Sequence, residues 1–447
     1  MTSKVTALGL IALLSAICFT SAATAQTSWE RTYGWSGDEY GSSVQQTNDG
    51  GYMVVGETWS SGTGNFYLVK TNAHGDMLWS RVYSGPEDCA GLSGQQTNDG
   101  GYVMAGYVRH FGSGFKHVYL VKTNATGDTL WTRIYDCTNY DWGNSVRQTT
   151  DNGYVIAGSS SDDFYLMKTN AQGDTLWART YGGTDYDEAS SVRQTTDGGY
   201  IIAGTTASFG AGYCDVYVVK TDASGETLWT RTHGGAEDDF GCSAQQTTDG
   251  GYIVVGFTGS SGAGAVFLIR TNAYGDTVWT RTYGTGDGCA YSVQQTTDGG
   301  FIVVGEDYGV YAIKTNAQGD TLWTRTYGGA GSDVGRSVQQ TTDGGYIIAG
   351  HTNSFGAGGD DVYLIKTDSL GNVGVAEESS KPPAISRKLG ATILSGASGA
   401  RHLASSVVFD AMGRRVLHPR PGIYFVREEP QASSHKPQAA QKVLLVR

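Results

Sequence analysis

Carboxylates are the residues whose type and spacing come nearest to a chemistry in this chain. One falls in each of seven similarly spaced connectors, Asp38, Asp88, Asp141, Asp187, Asp238, Asp287 and Asp333, with Glu39, Glu87, Asp185, Glu188, Glu237 and Asp239 beside them. Clustered oxygens suit a hard cation such as calcium, and Asp187, Asp238 and Asp239 are the residues that could hold one. Two carboxylates roughly 5 to 10 Å apart could instead work as acid and base on a glycosidic bond. The third reading is structural, because Asp in a Gly-Asp connector closes a turn by accepting backbone N–H groups. Other chemistries find no support. There is no Gly-x-Ser-x-Gly, no His-Glu-x-x-His and no Cys-x-x-Cys. His110 and His117 share one loop and His351 lies in another, a poor basis for a metal site. Of the cysteines, Cys89, Cys137, Cys214, Cys242 and Cys289 lie beyond the N-terminal leader, an odd number that leaves at least one thiol unpaired within the chain. They are either incidental small residues or, as with Cys242 and Cys289, partners between neighbouring connectors.

The elements that carry these residues repeat. Asp-Gly-Gly-Tyr or a close variant begins at Asp49, Asp99, Asp151, Asp197, Asp249, Asp298 and Asp343. A tryptophan follows each of the first six, at Trp79, Trp131, Trp177, Trp229, Trp279 and Trp323, and a seventh in register, Trp29, precedes them all. A fixed period of this length signals a repeat architecture. Within one unit, Ser191-Val-Arg-Gln-Thr195 reads as a strand, Thr-Asp-Gly-Gly as a turn and Tyr200 to Gly204 as the returning strand. Asp215 to Thr221 is a β-branched and aromatic third strand, and Thr227 to His233 a fourth. Four antiparallel strands per unit with no helical period predict an all-β chain built as a propeller.

The ends predict a closed ring. The last unit lacks its tryptophan, with Val375 in that place, while Ser28-Trp29-Glu-Arg-Thr-Tyr-Gly34 is a fourth strand without the preceding three. Together they complete a seventh blade and remove the exposed sheet edges. Trp, Arg and Tyr alternate along each fourth strand and share one face, so Trp packs between blades. The third-strand basic residue, Lys70 and its copies, is expected to meet the turn Asp or backbone carbonyls. Gln46, Gln96, Gln148, Gln194, Gln246, Gln295 and Gln340 recur on the strand nearest the axis, where they form an amide ladder or line a channel. Length varies almost only between the turn Asp and that basic residue, as in Asp99 to Lys122 against Asp298 to Lys314. One face of the ring is therefore uniform and the other varied, and the varied face, with Phe209 and Phe355 in its Ser-Phe-Gly-Ala-Gly loops, is the candidate ligand surface.

Composition divides the chain. Beyond residue 380 there are 11 Lys and Arg against 3 Asp and Glu, so with a whole-chain charge of −12 the remainder is strongly acidic. That acidity argues against nucleic acid as a partner, since phosphate-backbone recognition needs clustered cations. Residues 1–25 read as a secretory leader ending in Ala23-Thr24-Ala25, too short for a membrane span, and no other stretch is apolar enough to cross. The predicted domains are the leader (1–25), a seven-bladed propeller (26–372), a linker (373–385) and a small β-sandwich-like C-terminal domain (386–447).

Two resemblances follow from these motifs. Lys-Thr-Asn-Ala-x-Gly-Asp-Thr-Leu-Trp resembles the tryptophan repeat of quinoprotein-type propellers, which implies fold only. The whole repeat, residues 28 to 372, is similar to secreted bacterial propeller-repeat proteins. Val408 to Val416, Pro421 to Arg427 and Gln441 to Arg447 resemble the C-terminal sorting domain of type IX secretion cargo; the Asn-Pro pair that usually opens that domain is absent. The resemblance implies export through the periplasm to the outer surface, with the type IX machinery as a partner. The expected function is non-catalytic binding of a glycan, matrix or protein ligand, with no cofactor unless calcium. The alternative is a hydrolase or lyase acting on polysaccharide.

Overall fold

A computed structural model of the chain describes residues 28–374, apart from 110–113, 136–139, 262–263 and 285–287, together with four strands of the tail. The leader, the linker from Val375 onward, His110, Cys137 and Asp287 lie outside the described residues. The chain divides into two compact units, Met1–Ala376 and Glu377–Arg447.

The first unit contains seven four-stranded antiparallel sheets. Six are continuous in sequence, and the seventh consists of Asp333–Gln340, Tyr346–Thr352 and Asp361–Thr367 completed by the N-terminal strand β1, Trp29–Tyr33. Strand β1 pairs antiparallel with the third strand, Trp29 opposite Lys366 and Tyr33 opposite Val362. The seven-bladed ring closed by its N-terminal strand is thus as the sequence predicts. Trp29, Tyr52 and Val54 share one buried cluster with Ile347 and Leu364, so closure is sealed by apolar packing as well as by strand pairing.

The recurring residues explain why each unit folds alike. Second and third strands, such as Tyr200–Thr206 and Asp215–Thr221, are buried on both faces, whereas fourth strands alternate between exposed and half-buried. Each blade's tryptophan meets the next blade's second-strand aromatic edge-on, as in Trp29 with Tyr52 and Trp177 with Tyr200, and the arginine two residues on lies over the indole. Such aromatic pairs contribute about 0.5–1.5 kcal/mol each beyond area burial. Glycine is required where the indole presses on the following turn: a Cβ on Gly225 would stand 2.7 Å from Trp177. Seven turn aspartates pair with seven buried cations, from Lys70 with Asp49 to Lys366 with Asp343. The turn itself needs a left-handed residue, and where the third unit reads Asp-Asn-Gly it is Asn152 that adopts φ 65°.

The tail, described by itself, forms one four-stranded sheet. Ser406–Phe409 pairs with Gly422–Glu428, which pairs with Gln441–Val446, and Thr392–Leu394 joins the last in parallel. No helix among the described residues is long and apolar enough to cross a membrane.

Candidate functional site

The first strand of every blade lines the axis. These inner strands are Glu39–Gln46, Cys89–Gln96, Asp141–Gln148, Asp187–Gln194, Asp239–Gln246, Cys289–Gln295 and Asp333–Gln340. Each carries one extra residue at a bulge, for example between Gly41 and Ser43. A bulge re-aims the inserted side chain. Here the inserted residues are Ser42, Leu92, Asn144, Ser190, Cys242, Tyr291 and Arg336, and all seven line a polar axial channel enclosing about 460 Å³.

Below the bulges the channel is knitted by side chains. Ser93, Ser145, Ser191, Ser292 and Ser337 each accept the backbone N–H of the next inner strand through Oγ. At the far end the seven recurring glutamines form a complete ring. Each Oε1 accepts a turn N–H from the preceding blade, such as Asn48 N–H to Gln96 at 2.9 Å. Each Nε2 returns to a carbonyl of its own turn. The structural role read from their recurrence is the observed one.

The carboxylates expected on the varied face fall into two registers one residue apart. Asp141, Asp187, Asp239 and Asp333, together with Glu39, open inner strands and are buried. Where the connector is described, these oxygens close it: Asp187 Oδ2 accepts Gly183 N–H and Ser208 Oγ–H, both at 2.8 Å, and Asp239 Oδ2 does the same with Gly235 and Ser260. The preceding register stays near the surface. Asp38 accepts the N–H of Asp360 at 3.1 Å, Asp88 takes Gly64 N–H and the Arg109 guanidinium, each at 3.2 Å, and the Asp238 carbonyl accepts Gly259 N–H. Asp187 and Asp239 open different blades, so the structure does not gather Asp187, Asp238 and Asp239 into one centre. Among the described residues no group of three or more His, Cys, Asp or Glu converges in a way that could hold a metal.

Acids do meet in pairs between blades. Asp163 Oδ1 and Asp187 Oδ2 both lie within 2.6 Å of the point where a Cβ on Gly182 would stand. Asp215 and Asp239 converge on Gly234 in the same way, and Asp361 and Glu39 on Gly34. Oδ1 of Asp187, Asp239 and Asp361 finds no hydrogen-bond partner. Burial first, then the Asp187 charge, raises the Asp163 pKa; burial, with Glu39 among the nearby charges, raises that of Asp361. Both oxygens of Asp333 are engaged, by Thr352 and by Gly329 and Ser354.

Other expected residues scatter. Phe209 and Phe355 are 43% and 46% exposed and lean on Tyr217 and Tyr363. His117 lies 3.9 Å from Asp141 between blades 2 and 3, while His351 packs edge-on against Tyr40 in the junction of blades 7 and 1. Cys242 and Cys289 are free thiols; a hydrogen bond between them lifts the Cys242 pKa and lowers that of Cys289.

Sequence reasoning missed the channel-lining residues Asn144, Tyr291, Arg336, Arg147 and Arg193, and it named Glu188 only as one of the connector carboxylates. Glu188 Oε1 accepts Trp142 Nε1–H and Asn144 Nδ2–H at 2.7 Å, and its Oε2 accepts the Tyr186 hydroxyl. Tyr291 donates to Glu306 at 2.5 Å with the Arg336 guanidinium 4.1 Å above its ring. Deeper in, Arg147 and Arg193 line the channel. The available signal was the departure of single units from the repeat: Arg-Gln at 147–148 and 193–194 where the others read Gln-Gln.

The chain is similar to several solved structures. A protein of unknown function from Bacteroides caccae is 12% identical, with 59% of this chain and 90% of that one covered at a TM-score of 0.39. Sqt1 from Chaetomium thermophilum is 11% identical over 73% of this chain and 81% of its own, at 0.46, and BamB from Moraxella catarrhalis is 13% identical over 73% and 85%, at 0.42. At these levels the likenesses carry no functional argument, and the fold stands on the strand pairing itself. No protein-family profile matches the sequence, and a search of curated proteins finds no match.

Proposed function

We propose that the protein is a secreted or cell-surface binding propeller that takes a glycan, matrix or protein ligand on its varied-loop face and at the mouth of the axial channel, without catalysing a reaction. The observation that carries this reading is the placement of the acids. Asp141, Asp187, Asp239 and Asp333, which a hydrolase or lyase would need at a cleft, are buried where they open the inner strands. The channel is lined instead by Arg, Ser, Gln, Asn and Tyr side chains, a surface suited to hydrogen-bonding a polar ligand. The same proposal includes the export route: removal of a leader after Ala25, then recognition of the tail by type IX secretion machinery. The strands Gly422–Glu428 and Gln441–Val446 cover most of two of the tail motifs, and Ser406–Phe409 overlaps the first only at Val408 and Phe409.

Screening the purified chain against a polysaccharide and glycan panel, scoring binding and reducing-end release together, tests the reading. Saturable binding without release is the expected result. Release of new reducing ends would favour the polysaccharide-acting enzyme, and no binding to any member of the panel would remove glycan as the ligand.

A further inference from the structure

Two adjacent positions break the rule of the inner-strand ring. The residue before the recurring glutamine is itself glutamine in five blades, namely Gln45, Gln95, Gln245, Gln294 and Gln339. Its Oε1 accepts the backbone N–H of the next inner strand, respectively Gln96, Gln148, Gln295, Gln340 and Gln46, at 2.6 to 2.9 Å. Blades 3 and 4 carry Arg147 and Arg193 there. Arginine has donors only, so the matching bonds to Gln194 and Gln246 cannot form.

The two guanidinium groups also stand without counter-charge. Neither makes an ion pair with any described residue. Arg147 donates from Nη1 to its neighbour's carbonyl, Val146, at 2.8 Å, and its Nε has no partner. Among the described residues that line the channel there is no Asp or Glu; Glu188 reaches the lining Asn144 but makes no ion pair with either arginine. Burial, then the neighbouring Arg193 charge, pushes the Arg147 pKa well below its ordinary range, and burial pushes Arg193 down to about 10. An arrangement that gives up two ring bonds and holds like charges together costs stability, and local inconsistency of this kind is expected where a protein keeps a site.

We propose that Arg147 and Arg193 form an oxyanion site in the axial channel that takes the carboxylate, sulfate or phosphate group of a ligand small enough to enter it. Guanidinium groups match planar and tetrahedral oxyanions through paired N–H donors. Ser145 and Ser191 lie beside them; each uses Oγ as acceptor for the next strand and keeps its hydroxyl hydrogen for the ligand. The channel thereby favours an anion although the ring around it is acidic. The proposal rests on the binding reading above and names the chemistry of the ligand.

Calorimetric titration of the purified chain with inorganic phosphate, sulfate and glucuronate tests it. The variants are Arg147→Gln, Arg193→Gln and the double change, in which the glutamine that serves five blades is restored. These variants are expected to fold and to melt no lower than wild type, because ring bonds return and the like-charge contact goes. Wild type should bind at least one of the three anions saturably, each single change should weaken binding about tenfold or more, and the double change should abolish it. The anion bound most tightly identifies the source chemistry, and Arg147→Lys with Arg193→Lys should retain part of the affinity. Equal binding by wild type and the double glutamine variant, or no binding of any of the three by wild type, overturns the proposal. An anionic panel ligand held equally well by the double variant would sink the arginine site while leaving the binding function standing.

Discussion

Asp197 and Asp163 lie in neighbouring blades, yet their protons respond to folding in opposite directions. Burial pulls the Asp197 pKa upward, but the Thr195 hydroxyl, Lys220 and the Gly199 N–H outweigh it and hold the carboxyl at about 2, and Asp151 behaves alike. Stability from these contacts is complete above the unfolded value of about 3.9 and is lost as pH falls through the folded one. Asp163 and Asp361 are raised, so their contribution is complete below the unfolded value and is lost as pH rises through the folded one. Melting temperature should therefore climb from about pH 2 to about 4 and then decline. Asp163→Asn with Asp361→Asn should reduce the decline, to which the raised Glu30 and Glu57 also contribute, and Asp151→Asn with Asp197→Asn should make the acid limb shallower, the other turn aspartates keeping their share of it. Millimolar calcium flattening the decline in wild type would mean that a cation, rather than a proton, occupies the acid pairs. An unchanged decline in the first double variant, without calcium, would contradict the pairing. Recurrence made the turn Asp and its Lys legible in the sequence. It did not separate Asp238 from Asp239, because one residue of strand register moves a side chain to the opposite face.

At the scale of strands, the strongest claim is that β1 belongs to the last blade. The sequence showed it through a missing tryptophan at one end and a surplus one at the other, and the pairing of Trp29 with Lys366 bears it out. Trp29 is buried against Tyr52 of the first blade. Truncating it to alanine should cost about 3–5 kcal/mol, and deleting residues 28–34 should expose sheet edges as well and cost more. Urea unfolding measures both; a deletion that unfolds at the wild-type midpoint would show that the ring closes otherwise. The inner-strand bulges were not legible. An inserted residue looks like any other in sequence until its partner strand fixes the count, and Asn144, Tyr291 and Arg336 reach the axis only because of that insertion.

For the whole molecule, charge alone separates an acidic repeat region from a basic tail in the sequence; the two compact units of the fold are Met1–Ala376 and Glu377–Arg447. If the tail is an export address, a chain ending at Gly374 should fold with the wild-type circular dichroism yet stay in the periplasm of a type IX host; efficient release would refute the address. What the molecule recognises was the least legible part. Loop lengths pointed to the varied face, while the departures from the repeat that reach solvent at the axis, Arg147 and Arg193, were hidden inside an otherwise uniform strand. The most direct test is therefore a titration of the best anionic panel ligand against three proteins: wild type, Arg147→Gln/Arg193→Gln, and Phe209→Ser/Phe355→Ser. Binding lost in the arginine variant and kept in the phenylalanine variant is the predicted result. Binding kept in the arginine variant and lost in the other would place recognition on the rim loops and contradict the axial site.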